Sequence, residues 1–198
     1  MRIGLFGGSF DPIHYGHLVP VRTARQELAL GRVVYLPTGQ PPHKSPRTAP
    51  AEHRFAMVEL ALAAEEGFVA CRHELDESRP SYTIDTVEHF RRERPDDELV
   101  LLIGADSWRE LESWRDWQRL LELVELAVLV RPGEPPDDLA GERAAAVERG
   151  RVRFVANQPL ELSSRDLRRR LRRGEEISRH EVPSLVLDYI RKYDLYRS

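Results

Sequence analysis

The sequence predicts an α/β protein, a doubly wound parallel sheet with helices on both faces, followed by a small C-terminal helical part at residues 160–198. Three observations predict it. Short apolar runs alternate with segments of helical period. The runs are apolar on both faces, as strands covered on two sides must be. After residue 158 only helical patterns follow.

The strands are expected at residues 2–6, 33–36, 68–72, 99–103, 126–130 and 152–155, where β-branched and leucine residues cluster between turn residues. Helices are expected at 18–30, 51–64, 84–92, 117–124 and 139–149, each with apolar positions three and four apart. Ser163 reads as an N-cap, with Asp166 three residues on completing a capping box, and the last helix runs over 184–192. In the helix after Ser163, Leu167 and Leu171 form the inward stripe. The arginines around them (165, 168, 169, 170, 172 and 173) spread over several faces and read as mostly solvated. Cys71, in a strand-like run, reads as a small core residue. The loop at 132–138 is the expected place for mobility, and otherwise a connecting turn. Together this is a Rossmann-like order in one domain over residues 1–198, and ligands in such sheets bind beyond the carboxyl ends of the strands.

Composition excludes several classes. At 41% hydrophobic and 32% charged residues the chain is neither disordered nor membrane-spanning. A formal net charge of -3 gives no general attraction to nucleic acid. One cysteine excludes an internal disulfide, and the N-terminus enters strand-like sequence without a signal peptide, so a cytoplasmic location is expected.

The stretch 7–17, Gly-Gly-Ser-Phe-Asp-Pro-Ile-His-Tyr-Gly-His, carries the most chemistry. It lies between a strand and a helix predicted to begin near Leu18, where backbone N–H groups and a helix N-terminus favour an anion. His14 and His17, three residues apart across Gly16, aim two imidazoles at one volume. Donors beside a phosphate loop suit a reaction in which negative charge builds on transferring oxygens. A zinc-binding pair, or two histidines without a task, are the other readings; metal would need further ligands, and the local candidates are thin. Other strand ends bring Lys44 after two prolines, and Asp106, which could instead cap a helix starting at Ser107. No nucleophile triad, Walker lysine or metal-ligand cluster is present. The inventory suits nucleotidyl or phosphoryl transfer by positioning.

These residues carry a resemblance. The run 8–17 resembles the signature of the nucleotidyltransferase superfamily with the HxGH motif, and Ser163-Ser164-Arg165-Asp166-Leu167-Arg168 is similar to its second phosphate motif. Pro41-Pro42-His43-Lys44, the run 80–86, and Gly104-Ala105-Asp106-Ser107 followed by Trp114 resemble the bacterial nicotinate-nucleotide adenylyltransferases. The resemblance implies transfer of the adenylyl group of ATP, with Mg2+, to nicotinate mononucleotide, giving deamido-NAD and pyrophosphate. It implies ATP phosphates at Gly8, Ser9, Phe10, His14, His17, Lys44, Ser163, Ser164 and Arg168, with His17 at the α-phosphate. It further implies a ribose hydroxyl at Asp106, the pyridine ring on Trp114, and the nicotinate carboxylate at Thr86. Many relatives carry threonine at the position of Arg165 and an aromatic residue at that of Arg115, which leaves open whether Arg115 serves by side chain or backbone. The alternatives are a dual-specificity pyridine-nucleotide enzyme, a phosphopantetheine adenylyltransferase, a silent nucleotide sensor, and a metal-dependent hydrolase built on the two histidines.

Overall fold

In the computed structural model, residues 1–39, 49–76, 78, 80–130, 141–158 and 160–197 are described. Six parallel strands among them form one sheet: β1 (Arg2–Gly8), β2 (Arg32–Pro37), β3 (Phe68–Ala70), β4 (Glu98–Gly104), β5 (Glu125–Val130) and β6 (Val152–Ala156). Their spatial order is β3-β2-β1-β4-β5-β6. The chain winds outward from β1 in one direction, then returns to β4 and winds outward in the other, so β1 and β4 flank the topological switch point.

Alternation along the strands divides the interior in two. Phe6, Val33, Tyr35, Val100, Leu102 and Ala127 face one core; Ile3, Leu5, Val34, Leu36, Leu101, Ile103 and Val128 face the other. Helices α1 (Tyr15–Glu27) and α2 (Ala51–Leu62) cover the first face, and α3 (Thr83–Glu93), α4 (Ala105–Arg109), α5 (Trp117–Leu123) and α6 (Gly141–Glu148) cover the second. The C-terminal helices α7 (Ser164–Arg172) and α8 (Ser184–Lys192) add to the first layer through Leu167, Val186, Leu187 and Ile190. That part of the chain therefore shares its core with α1 and α2.

Several expected boundaries shift: β3 stops at Ala70 and α2 at Leu62, each two residues early, and the larger corrections fall on α1 and α4. Helix α1 begins at Tyr15, not near Leu18, because His14 takes the extended N-cap conformation and places His17 in the first turn. It ends at Glu27, because Leu28 leaves helical geometry and Ala29 turns left-handed at φ 50°. Helix α4 starts at Ala105 with Gly104 as its N-cap, so Asp106 is inside the first turn and is not the cap. The loop at 132–138 lies outside the described residues. Leu167 is buried and Leu171 packs against it in the first core, as the helical period requires, whereas Cys71 is half-buried at the end of the edge strand.

Candidate active site

After β1 the chain makes a tight loop anchored by Phe10, which takes a left-handed φ of 46° and is 1% exposed. Its ring packs on Phe6, Tyr35 and His17 at 5.3–5.6 Å. The cost of that backbone is met by burying a whole aromatic side chain. His14 and His17 then lie with ring centroids 3.9 Å apart and their planes tilted by 32°. The His14 backbone N–H donates to His17 Nδ1 at 3.3 Å, so neutral His17 carries its proton on Nε2. Burial lowers the pKa of His14 to about 4, which keeps that ring neutral at ordinary pH. Gly16 is required by close approach: a Cβ there would stand 2.8 Å from the His14 ring.

The second motif closes on this loop through groups far apart in sequence. Ser163 caps α7 by accepting from the Asp166 amide at 3.2 Å. The Asp166 carboxylate does not complete the expected box; it pairs with Arg169 and, at 3.8 Å, Arg170. Ser164 Oγ donates to the Pro12 carbonyl at 3.0 Å, and Arg168 donates to the Asp11 carbonyl at 2.6 Å. Asp11 is fully buried. Its carboxylate accepts from the Ala49 amide at 3.0 Å and the Tyr196 hydroxyl at 2.7 Å, with Arg168 3.4 Å away. Burial, and next the charge of Asp11, raise the Tyr196 hydroxyl far above the ordinary phenol range.

Arg54, on α2, is 1% exposed and donates to four carbonyls: Ala49, Ser9, Thr38 and Gly39, at 2.7–2.9 Å. One rigid guanidinium thus fixes the loop after β1 against the end of β2.

A cleft of about 730 Å³ opens at the switch point. Gly7, Gly8 and Ser9 line it from β1, Ile103, Gly104 and Ser107 from β4 and α4, and Tyr82, Thr86, Trp114 and Arg115 from the far wall. The Arg115 guanidinium lies over the Tyr82 ring at 4.9 Å, with Asp85 at 3.7 Å and Asp116 at 3.6 Å. The Thr86 hydroxyl donates to Glu74 Oε1 at 2.7 Å.

The structure brings Gly8, Ser9, Phe10, His14, His17, Ser164 and Arg168 together around the first loop, with Ser163 at the adjoining helix start. It brings Thr86, Trp114 and Arg115 together across the cleft. Asp106 stands apart: its carboxylate is 96% exposed and held by Arg109 at 2.7 Å, while its neighbours Gly104 and Ser107 line the cleft. Lys44 lies outside the described residues. Sequence reasoning missed Arg54, Glu74, Tyr196 and the structural role of Asp11. Arg54 was detectable, because Ala51, Arg54, Phe55, Val58, Ala61 and Leu62 fall on one helical face and Arg54 is the only charge among them. The others give no local signal.

Residues 5–170 match the cytidylyltransferase-like family. A relative from Thermus thermophilus, named "Probable nicotinate-nucleotide adenylyltransferase", is 43% identical, and the match covers 100% of both chains. One of the same name from Thermomicrobium roseum is 41% identical over 100% of this chain and 92% of its own length. Among solved structures, the nicotinic acid mononucleotide adenylyltransferase of Plasmodium falciparum complexed with APC is similar in fold. Its TM-score is 0.77 at 19% identity, over 98% of this chain and 96% of that one.

Proposed function

The chain belongs to the cytidylyltransferase-like family and within it to the nicotinate-nucleotide adenylyltransferases, and on that premise we propose that it joins ATP to nicotinate mononucleotide, forming deamido-NAD and pyrophosphate. A phosphate oxygen of the mononucleotide attacks the α-phosphorus of ATP. The bond from that phosphorus to the bridging oxygen breaks, and pyrophosphate leaves.

The observation that carries this reading is the close histidine pair at the start of α1, beside a switch-point cleft. With Nδ1 of His17 accepting from the backbone, its Nε2–H is a fixed donor for charge that grows on the α-phosphate. His14, held neutral, gives the triphosphate a polar neighbour without competing for a proton. The helix N-terminus and the Gly8–Phe10 backbone add N–H groups toward phosphate oxygens. Arg168 uses one nitrogen on Asp11 and has its remaining donors for phosphate. Ser163 and Ser164 complete that side, Lys44 is assigned to phosphate oxygens from its sequence motif, and Asp106 is assigned to a ribose hydroxyl. Across the cleft Trp114 takes the pyridine ring, Thr86 the carboxylate, and Arg115 the rim. Mg2+ arrives as part of the substrate, carried on the triphosphate of ATP. Among the described residues no group of three or more His, Cys, Asp or Glu side chains is gathered to hold a metal ion. Among them, too, no helix is long and apolar enough to cross a membrane. A cytoplasmic setting goes with this reading, since ATP is an intracellular substrate.

The test is pyrophosphate release from ATP with nicotinate mononucleotide, nicotinamide mononucleotide and phosphopantetheine as acceptors. Release with the nicotinate form alone is expected. Equal rates with acid and amide would assign a dual-specificity enzyme, release with phosphopantetheine alone its adenylyltransferase, and no release with any acceptor a nucleotide sensor.

A further inference from the structure

Glu74 stands at the wall shared by the cleft and an adjoining cavity of about 350 Å³. The backbone around it is closely set. The Gly39 amide donates to the Glu74 carbonyl at 2.6 Å, and Ser81 Oγ donates to the same oxygen at 3.2 Å. A Cβ on Gly39 would come within 2.8 Å of that carbonyl, so only glycine lets the two segments meet. The side chain receives the Thr86 hydroxyl on Oε1 at 2.7 Å and the Thr38 hydroxyl on Oε2 at 3.2 Å.

A hydroxyl has one proton to give. While Glu74 is ionised it only accepts, so Thr86 gives its proton backward and offers the cleft lone pairs alone. A guest carboxylate against Thr86 would meet an acceptor with a second anion behind it, whereas a guest amide would find its NH₂ matched. A proton on Glu74 reverses the direction. Glu74 then donates to Thr86 Oγ1, and the Thr86 proton turns toward the cleft, where it suits a carboxylate.

We propose that Glu74 is a specificity-determining residue acting through Thr86: it takes up one proton when a pyridine carboxylate binds against Thr86, and stays ionised when the amide binds there. This rests on the cleft being the acceptor site, as read above. The proton comes from solvent and no covalent bond changes. Desolvation raises the Glu74 carboxyl above the usual carboxylate range, opposed by the two hydroxyl bonds, so the neutral form is within reach. Of the groups facing this volume, Asp76 on its own segment, Asp85 and Glu88 on α3, and Glu110 beyond α4 favour uptake of the proton. Arg92 and Arg115 oppose it, Arg115 being already shared between Asp85 and Asp116; Arg54 lies under the Thr38 and Gly39 carbonyls, and His73 and His89 stack on each other at 4.0 Å.

Calorimetric titration of the intact chain with nicotinate mononucleotide and with nicotinamide mononucleotide, in buffers of different ionisation enthalpy, counts the protons. Both ligands carry the same phosphate, so its ionisation cancels in the difference. The acid is expected to take up about one proton more than the amide, and its Kd to rise by up to about tenfold per pH unit above the Glu74 pKa while that of the amide does not follow. Glu74→Gln, whose amide can donate to Thr86 at any pH, should keep acid binding and lose the extra proton. Equal proton uptake by the two ligands on the unsubstituted chain overturns the proposal, and decides it even if Glu74→Gln does not fold. If Thr86→Val weakens acid binding yet no extra proton is taken up, the acceptor site stands and the role of Glu74 falls. If Thr86→Val and Trp114→Ala leave both ligands unaffected, the reading of the cleft falls and the proposal with it.

Discussion

On the α1 side of the switch point, the groups around the first loop are tied by bonds spanning most of the chain: Ser164 to Pro12 over 152 residues, and Tyr196 to Asp11 over 185. On the far wall of the cleft, the Thr86–Glu74 bond spans 12 residues, and Trp114 and Arg115 come from one turn after α4. The first region is buried around Asp11 and Arg54; the second runs from buried Thr86 through half-buried Glu74 and Trp114 to exposed Arg115. The difference teaches where each kind of change will be felt. Loosening the first region should disturb the fold and the chemistry together, because its geometry exists only when distant segments are packed. The second can change what it selects with the fold intact.

The largest break in this contrast should come from Arg54→Ala. Two buried and two half-buried carbonyls would lose their donor, at a cost of about 4 kcal/mol in stability, read as a shift of the urea midpoint at unchanged slope. A loss below about 1 kcal/mol would show that solvent replaces the guanidinium and that the loop needs no such tie.

Next is the pH dependence that His14 imposes. Its folded pKa of about 4 lies below the value of 6.5 taken when unfolded, so above pH 6.5 both states are neutral and it contributes nothing. As pH falls through that window the unfolded chain takes the proton first, and about 3 kcal/mol of stability is lost by pH 4. Unfolding followed from pH 7 to 4 should show this slope, and His14→Gln should remove that part of it.

His17→Ala sharpens the chemical side. If its Nε2–H serves charge that grows in the transition state, kcat should fall on the order of 100-fold with little change in KM for ATP. A raised KM with kcat preserved would place His17 in ground-state binding instead.

The smallest effect belongs to the rim. Arg115, with a side chain 54% exposed, should tolerate Arg115→Ala with stability changed by less than about 0.5 kcal/mol. Affinity for the acceptor should change within roughly threefold, and a much larger loss would mean that the guanidinium is bound into the site when substrate arrives.

Much of this protein was written locally. Alternating apolar runs and helical periods were enough for the six strands, their parallel order and the layering of helices, and Ser184–Lys192 forms the last helix at the boundaries its period predicts. The histidine pair and the serine-capped helix were legible because each motif is contiguous and its chemistry follows from residue types at short spacing. Helix α1 began earlier than its apolar stripe suggested, because an N-cap is set by backbone conformation and His14 is not a residue that advertises one.

Only the tertiary structure decided what those motifs lean on. Asp11 was one letter of the first motif until packing brought it Ala49, Tyr196 and Arg168, and Glu74 carried no signal until the residue after β2 and helix α3 each presented a threonine to it. The physical reason is the range of the interactions. Periodicity and capping act within a turn or two and leave a record in adjacent letters, while a buried carboxylate is satisfied by whichever donors the completed fold delivers, and these are neighbours in space alone.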